Sequence, residues 1–192
     1  MSSKRARRRI ISLVITLIIV GLGYFTAKNP EQTIQQIAGV QTGTYRVVDF
    51  ADGDTINVDM NGKTERIRMI GVDTPEIHDP RKPVECFGQA ASTFTEQLIG
   101  TGTVRLEADS LSANRDRYDR LLRYVYTSEN KLVQAEIIKD GYGFAYTSFP
   151  FTKLDEFRQY EKEAREQNRG LWSDCQPYVD KKGYIHTNPA TP

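Results

Sequence analysis

The segment from Asp52 to Glu76 (DGDTINVDMNGKTERIRMIGVDTPE) constrains this chain more than any other. Ile56, Val58 and Met60 alternate with polar residues, as a half-buried strand requires, and a second alternating run follows from Glu65 to Val72. Between them stands Asn61-Gly62, a pair suited to the two positive φ values of a type I′ turn. The two runs therefore form a β-hairpin. Asp73-Thr74-Pro75-Glu76 then leaves it, because the residue before a proline is driven out of the helical region. A hairpin brings its far ends together, so Asp54 and Asp73 become neighbours, with Arg68 and Glu76 beside them. Carboxylates gathered in this way repel unless a cation joins them, and an all-oxygen set suits a hard divalent ion.

Charge decides how such a domain can meet a polyanion. The chain of 192 residues carries a formal +1, but five of its 26 basic residues (Lys4, Arg5, Arg7, Arg8, Arg9) fall in the first nine positions. The remainder holds 21 basic against 25 acidic residues, a net of −4. Binding of nucleic acid would then depend on a local positive site and a metal, not on a broadly basic surface. Behind the basic cluster, residues 10–27 are almost wholly apolar. This is the pattern of an uncleaved transmembrane anchor or of a cleaved secretory signal, and the positive-inside rule places the body outside the cytoplasm. Residues 28–43 read as a polar linker.

The rest of the chain supplies a small α+β domain. Tyr45–Phe50 precedes the hairpin as a first strand, and Thr103–Asp109 and Arg120–Thr127 are strand-like. Helical spacing over Gly88–Ile99, Lys131–Lys139 and Thr152–Asn168 predicts three helices, with Gly100, Gly141 and Gly170 as stops. Five strands and three helices, with a helix between the third and fourth strands, fit a five-stranded barrel of the OB type. Leu171-Trp172 is expected to pack the last turn onto the body. The domain then spans residues 44–175, and the polar, proline-bearing tail, residues 176–192, is expected to be disordered.

Three motifs, DGDT, IRMIGVDTPE and DRYDR, in this order and spacing, resemble the staphylococcal (micrococcal) nuclease family of calcium-dependent phosphodiesterases. The resemblance runs from Tyr45 to Asp174. It implies Ca2+ held by Asp54, Asp73 and the backbone carbonyl of Thr74. Glu76 would orient or deprotonate the attacking water, while Arg68 and Arg120 are the planar, always-charged donors that a phosphorane needs. Arg117 and Tyr118 would contact the phosphate on the 3′ side, and Tyr146 would lie near the nucleotide. Two positions depart from the family: Asp119 replaces a glycine directly before Arg120, where it would weaken phosphate affinity or pair with Arg120. Ser148 replaces a second tyrosine, with Phe149 adjacent. Singly, these residues have ordinary readings: a turn at Asp52-Gly53-Asp54, a helix cap at Thr74-Pro75-Glu76, a solvated Arg68, and an Arg120 that only pairs with Asp116 or Asp119. Jointly in register they point to a site.

Two cysteines, Cys86 and Cys175, are expected to pair in an exported domain, the alternative being two free thiols. Such a bridge would tie the end of the domain to its body, worth about 4–5 kcal/mol by chain entropy. With His78 and His186 far apart, no zinc spacing is present. The reading is thus a membrane-tethered or secreted, monomeric, calcium-dependent endonuclease acting on single- or double-stranded DNA and RNA, leaving 3′-phosphorylated products, with no protein partner implied. A non-catalytic OB-type module that binds nucleic acid is the alternative.

Overall fold

Alternation of apolar residues with a period of two builds the central sheet of the computed structural model, which describes residues 43–78, 83–181 and 183–190. The strands are β1 (Gly43–Asp52), β2 (Thr55–Met60), β3 (Lys63–Met69), β4 (Val72–Asp73), β5 (Thr103–Glu107), β6 (Leu121–Tyr126), β7 (Phe144–Ala145), β8 (Tyr178–Val179) and β9 (Ile185–His186). Helices α1 (Gly88–Ile99), α2 (Val133–Lys139), α3 (Leu154–Glu166) and α4 (Leu171–Asp174) complete the order. Five strands close a barrel in the order β1-β2-β3-β6-β5, antiparallel throughout except for β3 and β6. The expected five-stranded, OB-type α+β barrel with helices is therefore present, and a one-turn fourth helix is added. The expected N-terminal transmembrane or signal helix lies outside the described residues. Among the described residues, no helix is long and apolar enough to cross a membrane.

The Asn61-Gly62 turn has positive φ at both residues, 56° and 87°. That geometry fixes the register Thr55↔Arg68, Ile56↔Ile67 and Val58↔Glu65. Inward residues Ile56, Val58, Ile67, Val104, Leu106 and Val125 are wholly buried in the core. Strand β6 is buried on both faces, since α2 covers its outer side through Val133, Ile137 and Ile138. The buried amide of Gln134 completes that contact, donating to the Arg123 carbonyl (2.9 Å) and accepting from Val125 N–H (3.1 Å).

Element ends shift for identifiable reasons. Helix α2 starts at Val133 instead of Lys131 because Lys131 is held in a turn, its N–H donating to Thr127 Oγ1 and its carbonyl accepting from Thr127 N–H. Helix α3 starts at Leu154 instead of Thr152, whose N–H donates to Asp109 Oδ2 at 2.8 Å. The tail departs further from expectation. Among its described residues, 176–181 and 183–190, it forms a ribbon, with Tyr178↔His186 and Val179↔Ile185 paired. Thr187 is buried and donates to the Cys86 carbonyl, Cys86 N–H donates to the Asn188 carbonyl, and Ala190 N–H donates to the Val84 carbonyl. Main-chain pairing, which a polar composition conceals, holds this segment in place. Cys86 and Cys175 form the expected disulfide, with Cα atoms 5.9 Å apart.

Asp109 is buried at the end of β5 and accepts from Leu111 N–H, Ser112 N–H, Thr152 N–H and Tyr124 O–H. Burial pushes its carboxyl up, but the bonds from Thr152, Tyr124 and Leu111 outweigh that and hold it below the usual range. A depressed folded pKa stabilises the fold above the unfolded value, near pH 4, and that stability is lost as pH falls through the folded value. Asp109→Asn is expected to cost about 2–3 kcal/mol at neutral pH, with the difference from the parent shrinking below about pH 4. Urea unfolding across pH checks this, and a pH-independent difference would contradict it.

Candidate active site

The hairpin register places Arg68 directly across from Thr55, one residue past Asp54. From there its guanidinium reaches both carboxylates through one atom: Nη2 lies 3.1 Å from Asp54 Oδ2 and 2.6 Å from Asp73 Oδ1. Those two oxygens thus stand no farther apart than two ion-pair lengths. Nη1 donates to the Met69 and Val72 carbonyls at 3.0 and 2.6 Å, which fixes the plane of the group. The Arg68 side chain is only 12% exposed. Asp54 is further held by Thr74 N–H, which donates to Oδ2 at 3.0 Å, and by the Thr55 hydroxyl, which donates to Oδ1.

Three features outside the expected site set this geometry. The buried Thr95 hydroxyl on α1 donates to the Gly53 carbonyl at 2.7 Å and ties the acidic turn to the helix. Gly53 lets that turn approach Thr74, since a Cβ there would meet Thr74 Oγ1 at 2.8 Å. Asp52 accepts from Asp54 N–H and adds a third carboxylate. Burial, then the charge of Asp54, pushes the Asp52 carboxyl up to about 7. Burial likewise raises Asp73 to about 6, with Arg68 pulling down and Asp54 pushing up. Three acids thus stand around one guanidinium.

Glu76 faces the same cleft, with Oε1 accepting from Ile77 N–H (3.1 Å) and His78 N–H (2.8 Å). Its own N–H donates to Glu85 Oε2 at 3.0 Å. The carboxylate is therefore oriented by the turn that carries it.

The second arginine arrives on a separate loop. Buried Arg123 on β6 donates to Asn114 Oδ1 at 2.7 Å, and Arg115 pairs with Glu65 at 3.0 Å, which anchors the loop to the barrel. Asp116 then organises its tip: Oδ1 accepts from Tyr118 N–H and Arg120 N–H, and Oδ2 accepts from Arg120 Nε at 2.6 Å. Arg120 is thus paired with Asp116, and Asp119 with Arg115. The Asp119 side chain is 87% exposed and lies 3.5 Å from Arg115 Nε. At φ 64° Asp119 occupies the left-handed conformation, which aspartate tolerates better than most residues. Arg117 and Arg120 flank the Tyr118 ring, their guanidinium carbons 4.7 and 5.4 Å from its centroid.

These groups line one cleft of about 1050 Å3. It gathers Asp54, Arg68, Asp73, Thr74, Glu76, Arg117, Tyr118, Arg120 and Tyr146, every residue expected at the metal, catalytic and substrate positions. Asp52, Asp116, Tyr184 and His186 also line it, none of them expected as a site residue, although Asp116 was an expected partner for Arg120. The first two stand inside quoted motifs, where an Asx pattern was the available signal; the ribbon residues gave none. Among the described residues, no group of three or more His, Cys, Asp or Glu side chains is arranged as a ready metal site. Asp54 and Asp73 instead converge on a guanidinium.

Comparison with known proteins fits this arrangement. Residues 66–174 match the family described as staphylococcal nuclease homologue. The thermonuclease of Staphylococcus hyicus is 34% identical over 172 residues, 89% of this chain and 99% of that protein. Endonuclease YncB of Bacillus subtilis is 41% identical over 135 residues, 69% of this chain and 63% of that protein. The micrococcal nuclease of Shigella flexneri is 34% identical over 136 residues, 67% of this chain and 72% of that protein.

Gly53→Ala is expected to lower stability by about 1–3 kcal/mol, because the Thr74 side chain must move to admit the new methyl. Denaturant unfolding, with the Thr74 amide shift as a local probe, checks this. An unchanged midpoint and shift would show that the turn has slack.

Proposed function

The chain belongs to the staphylococcal nuclease family and is a nuclease, and we propose that it cuts DNA and RNA outside the cytoplasm with the help of calcium, leaving 3′-phosphorylated products. The observation that carries this reading is the meeting in one cleft of Arg68, bridged to two aspartates, with Glu76 and a separately anchored Arg120.

The donor set fits calcium. All its groups are oxygens, and the burial and mutual repulsion that raise Asp52 and Asp73 are relieved by a bound cation. Asp54, Asp73 and the Thr74 carbonyl would hold it, with Asp52 supporting from behind Asp54. When bound, the ion would neutralise phosphate charge and ease formation of the nucleophile.

The side chains do the rest. Glu76 orients a water and accepts its proton as the oxygen attacks phosphorus. Arg68 and Arg120 donate to the phosphoryl oxygens, whose negative charge grows toward the transition state. Asp116 keeps Arg120 in register, with its carboxyl held low by the Arg120 bonds despite burial. The bond from phosphorus to the 5′ oxygen breaks, that oxygen takes a proton from solvent water and leaves as a hydroxyl, and the phosphate remains on the 3′ side. Arg117 and Tyr118 hold the neighbouring phosphate, and Tyr146 meets the nucleotide.

Placement outside the cytoplasm is supported by the basic cluster before residues 10–27, as anchor or signal, and by the Cys86–Cys175 bond, which persists in oxidising compartments. A monomer accounts for the site, as every proposed residue comes from one chain.

Plasmid nicking by the purified full-length chain is expected to require calcium and to stop with chelator. Arg120→Ala or Glu76→Gln should lower the rate about 10²–10³-fold without loss of fold. Asp54→Asn should raise the calcium needed for half-maximal cutting. Cutting at full rate in chelator would overturn the metal assignment, and full activity in both Arg120→Ala and Glu76→Gln would overturn the site.

A further inference from the structure

The ribbon β8–β9 follows the last residue of the family match, yet Tyr184 and His186 border the catalytic cleft. We propose that this ribbon is a wall of the substrate groove and that Tyr184 is a base-stacking residue that favours strands bearing bases. The proposal rests on the nuclease reading of the cleft.

Tyr184 is held on a supported frame. Its N–H donates to Asp180 Oδ1 at 2.9 Å and its carbonyl accepts from Asp180 N–H at 2.8 Å, which closes the ribbon's turn. The neighbouring Ile185 packs on Phe144, Leu171 and Cys175. Beyond it, Thr187, Asn188 and Ala190 are bonded to the segment around Cys86, and the Cys86–Cys175 bridge ties that segment to the root of the ribbon.

On this frame the Tyr184 ring lies 6.0 Å from that of Tyr146 and within 19° of parallel. The Phe149 ring lies 5.9 Å from that of Tyr146, tilted by 53°, and is 65% exposed. Tyr184 itself is 37% exposed. Three rings therefore border the cleft that Arg117 and Arg120 also line, so aromatic faces for bases and cations for phosphates meet in one groove, the combination that single strands need. Position 148, where the family resemblance has a second tyrosine, is serine. The ribbon supplies a ring in its place, from an element outside the matched domain.

The test compares an oligothymidylate with an abasic strand of equal length and charge, both fluorescently labelled. Binding to the full-length protein is followed by anisotropy in chelator, so that the strands stay intact. The wild type should prefer the base-bearing strand. Tyr184→Ala should reduce that preference about tenfold, in the range for loss of one stacked base, and Tyr184→Phe should retain it. A preference that survives Tyr184→Ala, a loss equal on both strands, or no preference in the wild type would overturn the proposal. The equal loss would mark the ring as packing for the ribbon only. Absence of cutting by the wild type in calcium, with the base preference still dependent on Tyr184, would sink the catalytic reading and leave the stacking role standing.

Discussion

One guanidinium governs this structure. Arg68 leaves the hairpin, bridges Asp54 and Asp73 through a single nitrogen, and spends its other terminal nitrogen on two backbone carbonyls. Such a buried pair is weak support for stability by itself, because desolvation offsets attraction. Removing one partner from a buried pair is nonetheless costly, about 3–5 kcal/mol, since the remaining charge is stranded. On the proposed function, the cluster has two ways of balancing its acids, by the arginine alone or by the arginine and a cation. In the second, the guanidinium can turn part of its donor capacity toward a phosphate.

The surroundings of this pair are arranged to keep it in place without filling the cleft. The Asn61-Gly62 turn sets the register, Thr95 tethers the acidic turn, and Gly53 permits its approach to Thr74. Arg120 is held by Asp116 in a similar manner on an unrelated loop, and that loop is anchored through Asn114 and Arg115 to the barrel. Two arginines mounted on independent supports, each backed by a carboxylate, are the preorganisation that charge stabilisation requires. The body's net negative charge does not by itself conflict with this, because Arg68, Arg117 and Arg120 line the cleft beside its acids.

Much of this was legible in the sequence, and the physics explains which part. The hairpin could be read because its period of two and its Asn-Gly turn are local signals, and local signals fix a register. From that register the meeting of Asp54, Arg68 and Asp73 follows. The helices were visible in their apolar spacing, but their first residues were not: Thr152 and Lys131 are claimed by Asp109 and Thr127, partners distant in sequence or hidden in a turn. The partner of Arg120 could be narrowed to Asp116 or Asp119, but only the left-handed backbone at Asp119 decided it. The ribbon was misread as disorder for a related reason. Composition measures apolar area, whereas the described residues of 178–190 are held chiefly by main-chain bonds, with the disulfide at Cys175 just before them.

The central claim is that Asp54 and Asp73 are placed to share a hard cation beside Arg68. Calorimetric titration of calcium into the full-length protein, without nucleic acid, tests it most directly. The account predicts one ion bound per chain, with binding abolished when both aspartates are changed to asparagine and the fold is retained. No binding by the wild type, or equal binding by the doubly substituted chain, would contradict it.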